Sequence, residues 1–247
     1  MNLRKKKLLD ARPVVGGGGT PFSGLVSTIN LISHWRMTEA SGQRVDVHGT
    51  NNLTDNNTVG TAAGKFGNGA DFIPANLEYL SIPNNAGLAT GDIDFTVVAW
   101  AKFDDLSVER AILSKYDITL TANRSYKLSA HPSVGVVFSL NGPNAGDIFH
   151  NNGTPISTGV FHLFIAWHDS VNNQVGFVLD NGSPQTAAWT DGTRAGTAPL
   201  IIGGTPDNSV INSNMMDGVI HSVSLFKRMI TPADRTALWN SGNGLPY

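Results

Sequence analysis

Bond-breaking chemistry on sugars needs two carboxyl groups about 5–9.5 Å apart. Asp92 and Asp94, in Gly91-Asp-Ile-Asp-Phe95, have a spacing that would place both on one strand face. Aspartate is also a common turn residue, and the three glutamates (Glu39, Glu78 and Glu109) lie far apart in sequence. No catalytic pair is expected. Seven histidines occur, at 34, 48, 131, 150, 162, 168 and 221, and none forms His-x-His or His-x-x-x-His. His162 and His168 would share a strand face but stand roughly 20 Å apart at about 3.3 Å per residue, too far for one ion. The chain has no cysteine, which removes disulfides, thiolate catalysis and Cys-ligated metals. Gly16–Gly19 has no following Lys-Ser/Thr, so it is no phosphate loop. Sugar binding needs an aromatic platform ringed by amides and carboxylates. Of Trp35, Trp100, Trp167, Trp189 and Trp239, Trp189 lies in a loop-like stretch and is the one predicted to be exposed. Asn144, Asp147, Asp191 and Asn208 are its predicted polar companions.

The elements that would position these groups are read from composition and pattern. Gly, Asn, Thr and Ser make up more than a third of the 247 residues, which favours turns and short strands over helices. Phe95, Val97, Ala99, Ala101 and Phe103 alternate on one strand face, with Val98 and Trp100 on the other, so this strand is expected to be covered on both sides. A first strand is predicted over 25–35, and others near 78–82, 111–115, 126–129, 135–140, 200–203 and 219–226. Residues 160–168 and 175–180, joined by Asp-Ser-Val-Asn-Asn, read as a hairpin. One helix is predicted near the end: Thr231 as N-cap, Pro232 in the first turn, Asp234 at the positive pole and Gly242 as its stop. The expected architecture is an all-β, two-sheet antiparallel sandwich with one short C-terminal helix.

Charge is uneven. Residues 1–12 carry a net +4 through Arg4, Lys5, Lys6, Lys7 and Arg12 against Asp10, whereas residues 13–247 carry −6. We divide the chain into an extended basic, Gly-rich arm (1–24) and one domain (25–247). The arm is predicted to dock on an acidic surface, of another structural protein or of a second copy in a homo-oligomer or larger assembly. Nucleic acid is not expected, because the basic residues lack interleaved aromatics. No apolar run approaches the ~18 residues of a membrane span. The basic start is not followed by the apolar stretch of about 7–15 residues that a signal peptide needs.

Taken in order, several segments resemble the laminin-G-like, concanavalin A-like jelly-roll family. They are His34-Trp35-Arg36-Met37-Thr38-Glu39-Ala40-Ser41-Gly42 with 46–52, Gly67–Phe72 followed by Tyr79–Pro83, Asp94–Trp100, Phe161–Trp167 leading to Leu179-Asp180-Asn181-Gly182, Ile202-Gly203-Gly204, and Asp217–Ile220 with Leu238-Trp239-Asn240. The resemblance spans about 25–244 and implies a jelly roll. It also implies that four of the five tryptophans belong to the core, Trp189 being the exception. The glucanase branch of this family carries Glu-x-Asp-x-x-Glu, and Asp92 and Asp94 lack both flanking glutamates. Many members bind calcium, which makes Asp46, Asn51, Asp71 and Asp217 the implied ligands. The resulting expectation is a non-enzymatic structural and binding module. Its first form is a virion (phage) surface component, a capsid decoration or fibre-like protein held by its basic arm. The alternative is a lectin-like module, extracellular or on a cell surface, that binds glycans with or without calcium.

Overall fold

In a computed structural model, residues 21–246 are described. Arg4, Lys5, Lys6, Lys7 and Arg12 of the basic arm lie outside the described residues. The strands are β1 (Leu31–Trp35), β2 (Thr54–Asn56), β3 (Gly60–Ala63), β4 (Asn68–Phe72), β5 (Tyr79–Ile82) and β6 (Phe95–Phe103). They continue with β7 (Arg110–Lys115), β8 (Tyr126–His131), β9 (Gly135–Asn141), β10 (Asp147–Asn151), β11 (Phe161–Asp169) and β12 (Gln174–Leu179). The last are β13 (Gln185–Ala188), β14 (Leu200–Ile202), β15 (Thr205–Asp207), β16 (Val210–Ser213) and β17 (Gly218–Phe226), followed by helix α1 (Pro232–Trp239).

Two antiparallel sheets form the sandwich. The first runs β13-β12-β11-β6-β17-β4-β3, with β1 also on β17; the second runs β10-β9-β8-β7-β14-β5-β2. The β15–β16 hairpin stands apart. The alternation in β6 places Phe95, Val97, Ala99, Ala101 and Phe103 in the core between the sheets, against Tyr126, Leu128 and Phe138 of the second. Its other face, Val98 and Trp100, joins Leu163, Ile165, Trp167 and Val178 in a second apolar layer. That layer is sealed by Phe22, Val26, Ile230, Leu238 and Leu245. Residues 21–24 form a short 3-10 turn, and Phe22 stacks near Phe226 with centroids 6.2 Å apart. The first strand is shorter than predicted, because a turn at 29–30 precedes Leu31.

Helix α1 is held by a capping box. The Thr231 hydroxyl accepts from the Asp234 N–H (3.1 Å), and the Asp234 carboxylate accepts from the Thr231 N–H (2.9 Å). The same carboxylate accepts from Arg228 Nη1 at 2.9 Å, tying the helix to the end of β17. The helix stops at Asn240, which is left-handed (φ 48°), and not at Gly242 as predicted; an asparagine tolerates this conformation, and Gly242 lies in the following 3-10 turn. Trp239 stacks on Trp100 with centroids 5.7 Å apart.

Candidate functional site

The outer face of the second sheet carries a groove. On β5, Leu80 points into the core, so Tyr79 and Ser81 point out. Ile201 lies opposite Ser81 on the adjacent β14, and Leu200 and Ile202 fill the core beside it. These side chains form the floor of a depression of about 350 Å³ walled by Thr197, Pro199, Ile211, Pro83 and Asn84. None of its lining residues is charged. Asn56 Nδ2 donates to Ser81 Oγ at 2.9 Å, and Thr197 Oγ1 donates to Asn123 Oδ1 at 2.7 Å.

The wall has an unusual anchor. Lys115 is fully buried, and its Nζ donates to the carbonyls of Gly196 and Ala198 (3.0 Å to the latter), on either side of Thr197. Burial lowers its pKa to about 8. Chemically, the groove offers an aromatic ring, aliphatic surfaces, hydroxyls and an amide, without fixed charge. Such a surface suits the apolar faces and hydroxyls of an uncharged sugar ring.

The structure corrects the predicted platform. Trp189 is only 9% exposed and belongs to the core cluster. Its indole N–H donates to the Gly192 carbonyl, so the loop after β13 folds the ring inward instead of displaying it. Two of its predicted companions, Asp191 and Asn144, do converge, but on one another. Asp191 accepts from the backbone N–H groups of Asn144 (2.9 Å) and Ala145, and from Asn144 Nδ2 (2.9 Å). Desolvation opposes its ionisation, yet the hydrogen bonds from Ala145 and Asn144 outweigh it and hold the carboxyl below its ordinary range. Asp147 pairs with Arg124 and accepts from Asn141 Nδ2 at 3.0 Å. Asn208 lies in the β15–β16 turn, where its N–H donates to Asp117 Oδ1 at 3.1 Å. These groups brace loops.

The implied calcium ligands do not assemble either. Asp46 already accepts four backbone N–H groups, from His34 (3.0 Å), His48 (3.1 Å), Gly49 (2.9 Å) and Asn51 (3.1 Å). Asn51 is engaged with Ser33 and Asn85. Asp71 and Asp217 lie by the β4–β17 pairing, where desolvation and neighbouring carboxylates raise the pKa of Asp71. Desolvation raises that of Asp217 despite nearby Arg110. Among the described residues, no three His, Asp or Glu side chains are grouped to hold a metal ion. Among the described residues, the four implied ligands thus form no carboxylate cluster around one ion.

Asp92 and Asp94 lie in the bend before β6, not on a strand face. Asp94 Oδ1 accepts from the Ser170 N–H (2.9 Å) and hydroxyl (2.7 Å), whereas Asp92 is largely exposed, 3.9 Å from His168 Nε2. His162 and His168 are separately engaged, with Asp180 (2.9 Å) and the Ile93 carbonyl (2.9 Å). Under the first sheet's seal, a cavity of about 40 Å³ is lined by Phe22, His34, Phe66, Trp100, His221 and Leu245, among others. Burial, aided by Arg36, lowers the His34 pKa to about 3, and burial lowers His221 to about 4.

The alternation of Tyr79 and Ser81 was readable within a predicted strand. Thr197 and Pro199 carried no signal, because a sequence-distant lysine positions them.

No curated protein matches this chain. Among solved structures, it is similar to the binding domain of Paraclostridial Mosquitocidal Protein 1 (12% identity, TM-score 0.68), over 86% of this chain and 52% of that one. It therefore spans about half of that relative's length. It is also similar to domain 4 of AbnA, a GH43 extracellular arabinanase from Geobacillus stearothermophilus, in complex with arabinotriose (16% identity, TM-score 0.63, 84% of this chain and 97% of that one). A third is the Ruminococcus gnavus IT-sialidase CBM40 bound to alpha2,3 sialyllactose (14% identity, TM-score 0.52, 64% and 94%). Residues 75–234 match the family described as the concanavalin A-like lectin/glucanases superfamily. A match over this much of the chain makes it a member of that superfamily.

Proposed function

We propose that this chain is a non-enzymatic carbohydrate-binding module that holds an uncharged saccharide in the groove over Tyr79. The observation that carries this reading is the groove itself: an uncharged, half-apolar depression on a sheet face, with an aromatic ring in its floor and hydroxyl and amide groups in its walls. A similar structure solved with arabinotriose, a neutral saccharide, supports it, and another solved with sialyllactose supports saccharide binding in general. The absence of a carboxylate pair in the groove agrees with binding without turnover.

A glycan array of neutral oligosaccharides, followed by calorimetry on each hit, tests the reading. Tyr79→Ala is expected to weaken binding at least tenfold, and chelators to leave it unchanged. A blank neutral array, or a hit indifferent to Tyr79→Ala, would overturn it.

A second reading, a virion surface component anchored by the basic arm, rests on the +4 charge of residues 1–12 against −6 in the remainder. Deleting residues 1–19 would then abolish incorporation into a particle and leave glycan binding intact.

A further inference from the structure

Helix α1 divides the outer face of the first sheet, and on its far side from the buried histidines lies an open trough. One depression, of about 580 Å³, is lined by Trp167, Gln174, Thr186, Met229 and Arg235, with Asp94 and Asp169 also in its lining. A second, of about 180 Å³, adjoins it, and the two share Pro184, Pro232 and Arg235 in their walls. The pleat explains the lining: Val175 and Phe177 of β12 enter the core, so Gln174, Gly176 and Val178 face out, and Thr186 of β13 pairs with Gly176.

Arg235 stands where the depressions meet. Its guanidinium lies 5.4 Å from the centroid of the Trp167 ring, within the range of a cation–π contact. Trp167 in turn occupies the space above Gly176, where an added Cβ would meet the ring at 2.4 Å. The cation is thus set on a fixed platform and partly stripped of water. Among the described residues no carboxylate pairs with it: Asp94 is taken by Ser170, and Asp169 accepts from the Asn172 N–H (2.9 Å) and Nδ2 (2.8 Å). A planar, partly desolvated guanidinium with free edges suits the bidentate geometry of a carboxylate. Besides the two engaged carboxylates, the surroundings are amide (Gln174, Asn181), hydroxyl (Thr186) and apolar (Val171, Met229, the two prolines). That mixture suits hydroxyl groups and ring faces better than a bare anion.

We propose that this trough is a second binding site, for a carboxylate-bearing saccharide whose acid group pairs with Arg235. It lies on the opposite face of the sandwich from the Tyr79 groove and does not depend on it.

The test uses the full chain and two acidic probes, trigalacturonate and sialyllactose, with methyl-esterified trigalacturonate as the uncharged control. Calorimetry is paired with NMR of the Trp167 indole N–H. An acidic probe is expected to bind and shift the Trp167 signal, with the ester shifting that signal at least tenfold more weakly. Arg235→Gln should lose at least tenfold, Arg235→Lys should fall between, and the acid-induced Trp167 shift should persist in Tyr79→Ala. Thermal melting confirms that both Arg235 variants fold, and the lysine variant keeps the cation while removing the fork. The proposal is overturned if neither acid shifts the Trp167 signal, if the ester shifts it as readily as the acid, if Arg235→Gln leaves the shift intact, or if Tyr79→Ala abolishes it. A failure here leaves neutral-sugar binding in the groove untouched, and the reverse also holds.

Discussion

The two outer faces of this sandwich are finished in different ways. The first sheet's face is mostly apolar and is roofed by a helix, a turn and the C-terminal segment, so Trp100 and Leu163 are as buried as core residues. The second sheet's face is largely polar. There Lys127 Nζ meets Glu109 at 2.7 Å, Ser129 donates to the same carboxylate at 2.6 Å, and Ser114 donates to the Gly204 carbonyl at 2.7 Å. One face is closed by hydrophobic burial and the other by hydrogen bonds between loops. The first should dominate stability, and the second should offer surface for recognition.

The largest expected effect follows from the roofed face. Trp100→Ala removes a buried ring stacked on Trp239 and should cost about 3–5 kcal/mol in urea unfolding. A loss below 1 kcal/mol would mean the roof is not a true second core. On the polar side, Lys115→Met leaves the Gly196 and Ala198 carbonyls without their donor. It should cost about 1–3 kcal/mol and weaken groove binding through the loosened Thr197 wall. An unchanged affinity would separate the lysine from the groove.

The two histidines beneath the roof give it a pH signature. Their folded pKa values, about 3 and about 4, lie below the ordinary value of 6.5, so on acidification the unfolded chain takes up protons that the folded chain refuses. Their contribution is complete above about pH 6.5 and is lost as pH falls towards 4, with a slope of about 1.4 kcal/mol per pH unit for each histidine. Denaturation at stepped pH should show this slope, and His221→Gln should reduce it. The smallest stability change is expected at Tyr79→Ala, within about 0.5 kcal/mol, because the ring lies in an open groove. A larger loss would make Tyr79 a packing residue.

The sequence carried the fold well where periodicity was strong. The alternation in β6, the β11–β12 hairpin and the N-terminal cap of α1 are local patterns, and the structure has them in place. Strands β2, β3, β4, β10, β13, β15 and β16 escaped, since segments of three to five residues are too short to carry a readable apolar period and are defined by their partners. The site was less legible for a related reason. Trp189 sits in a polar, turn-like sequence and reads as exposed, but the buried bond to the Gly192 carbonyl depends on a loop path no local pattern encodes. Asp191 and Asn144 were the right types for ligand contacts, yet 47 residues of separation hid the fact that they satisfy each other.

Phe22 and Leu245 line the same small cavity, so the backbone arrives and departs at one spot on the roofed side. A partner joined directly at Phe22 or Leu245 would hang from that side and leave the Tyr79 groove pointing away, unobstructed. The same proximity invites circular permutation of residues 22–245, with a short linker from Leu245 to Phe22 and new ends opened in an exposed turn such as 181–183.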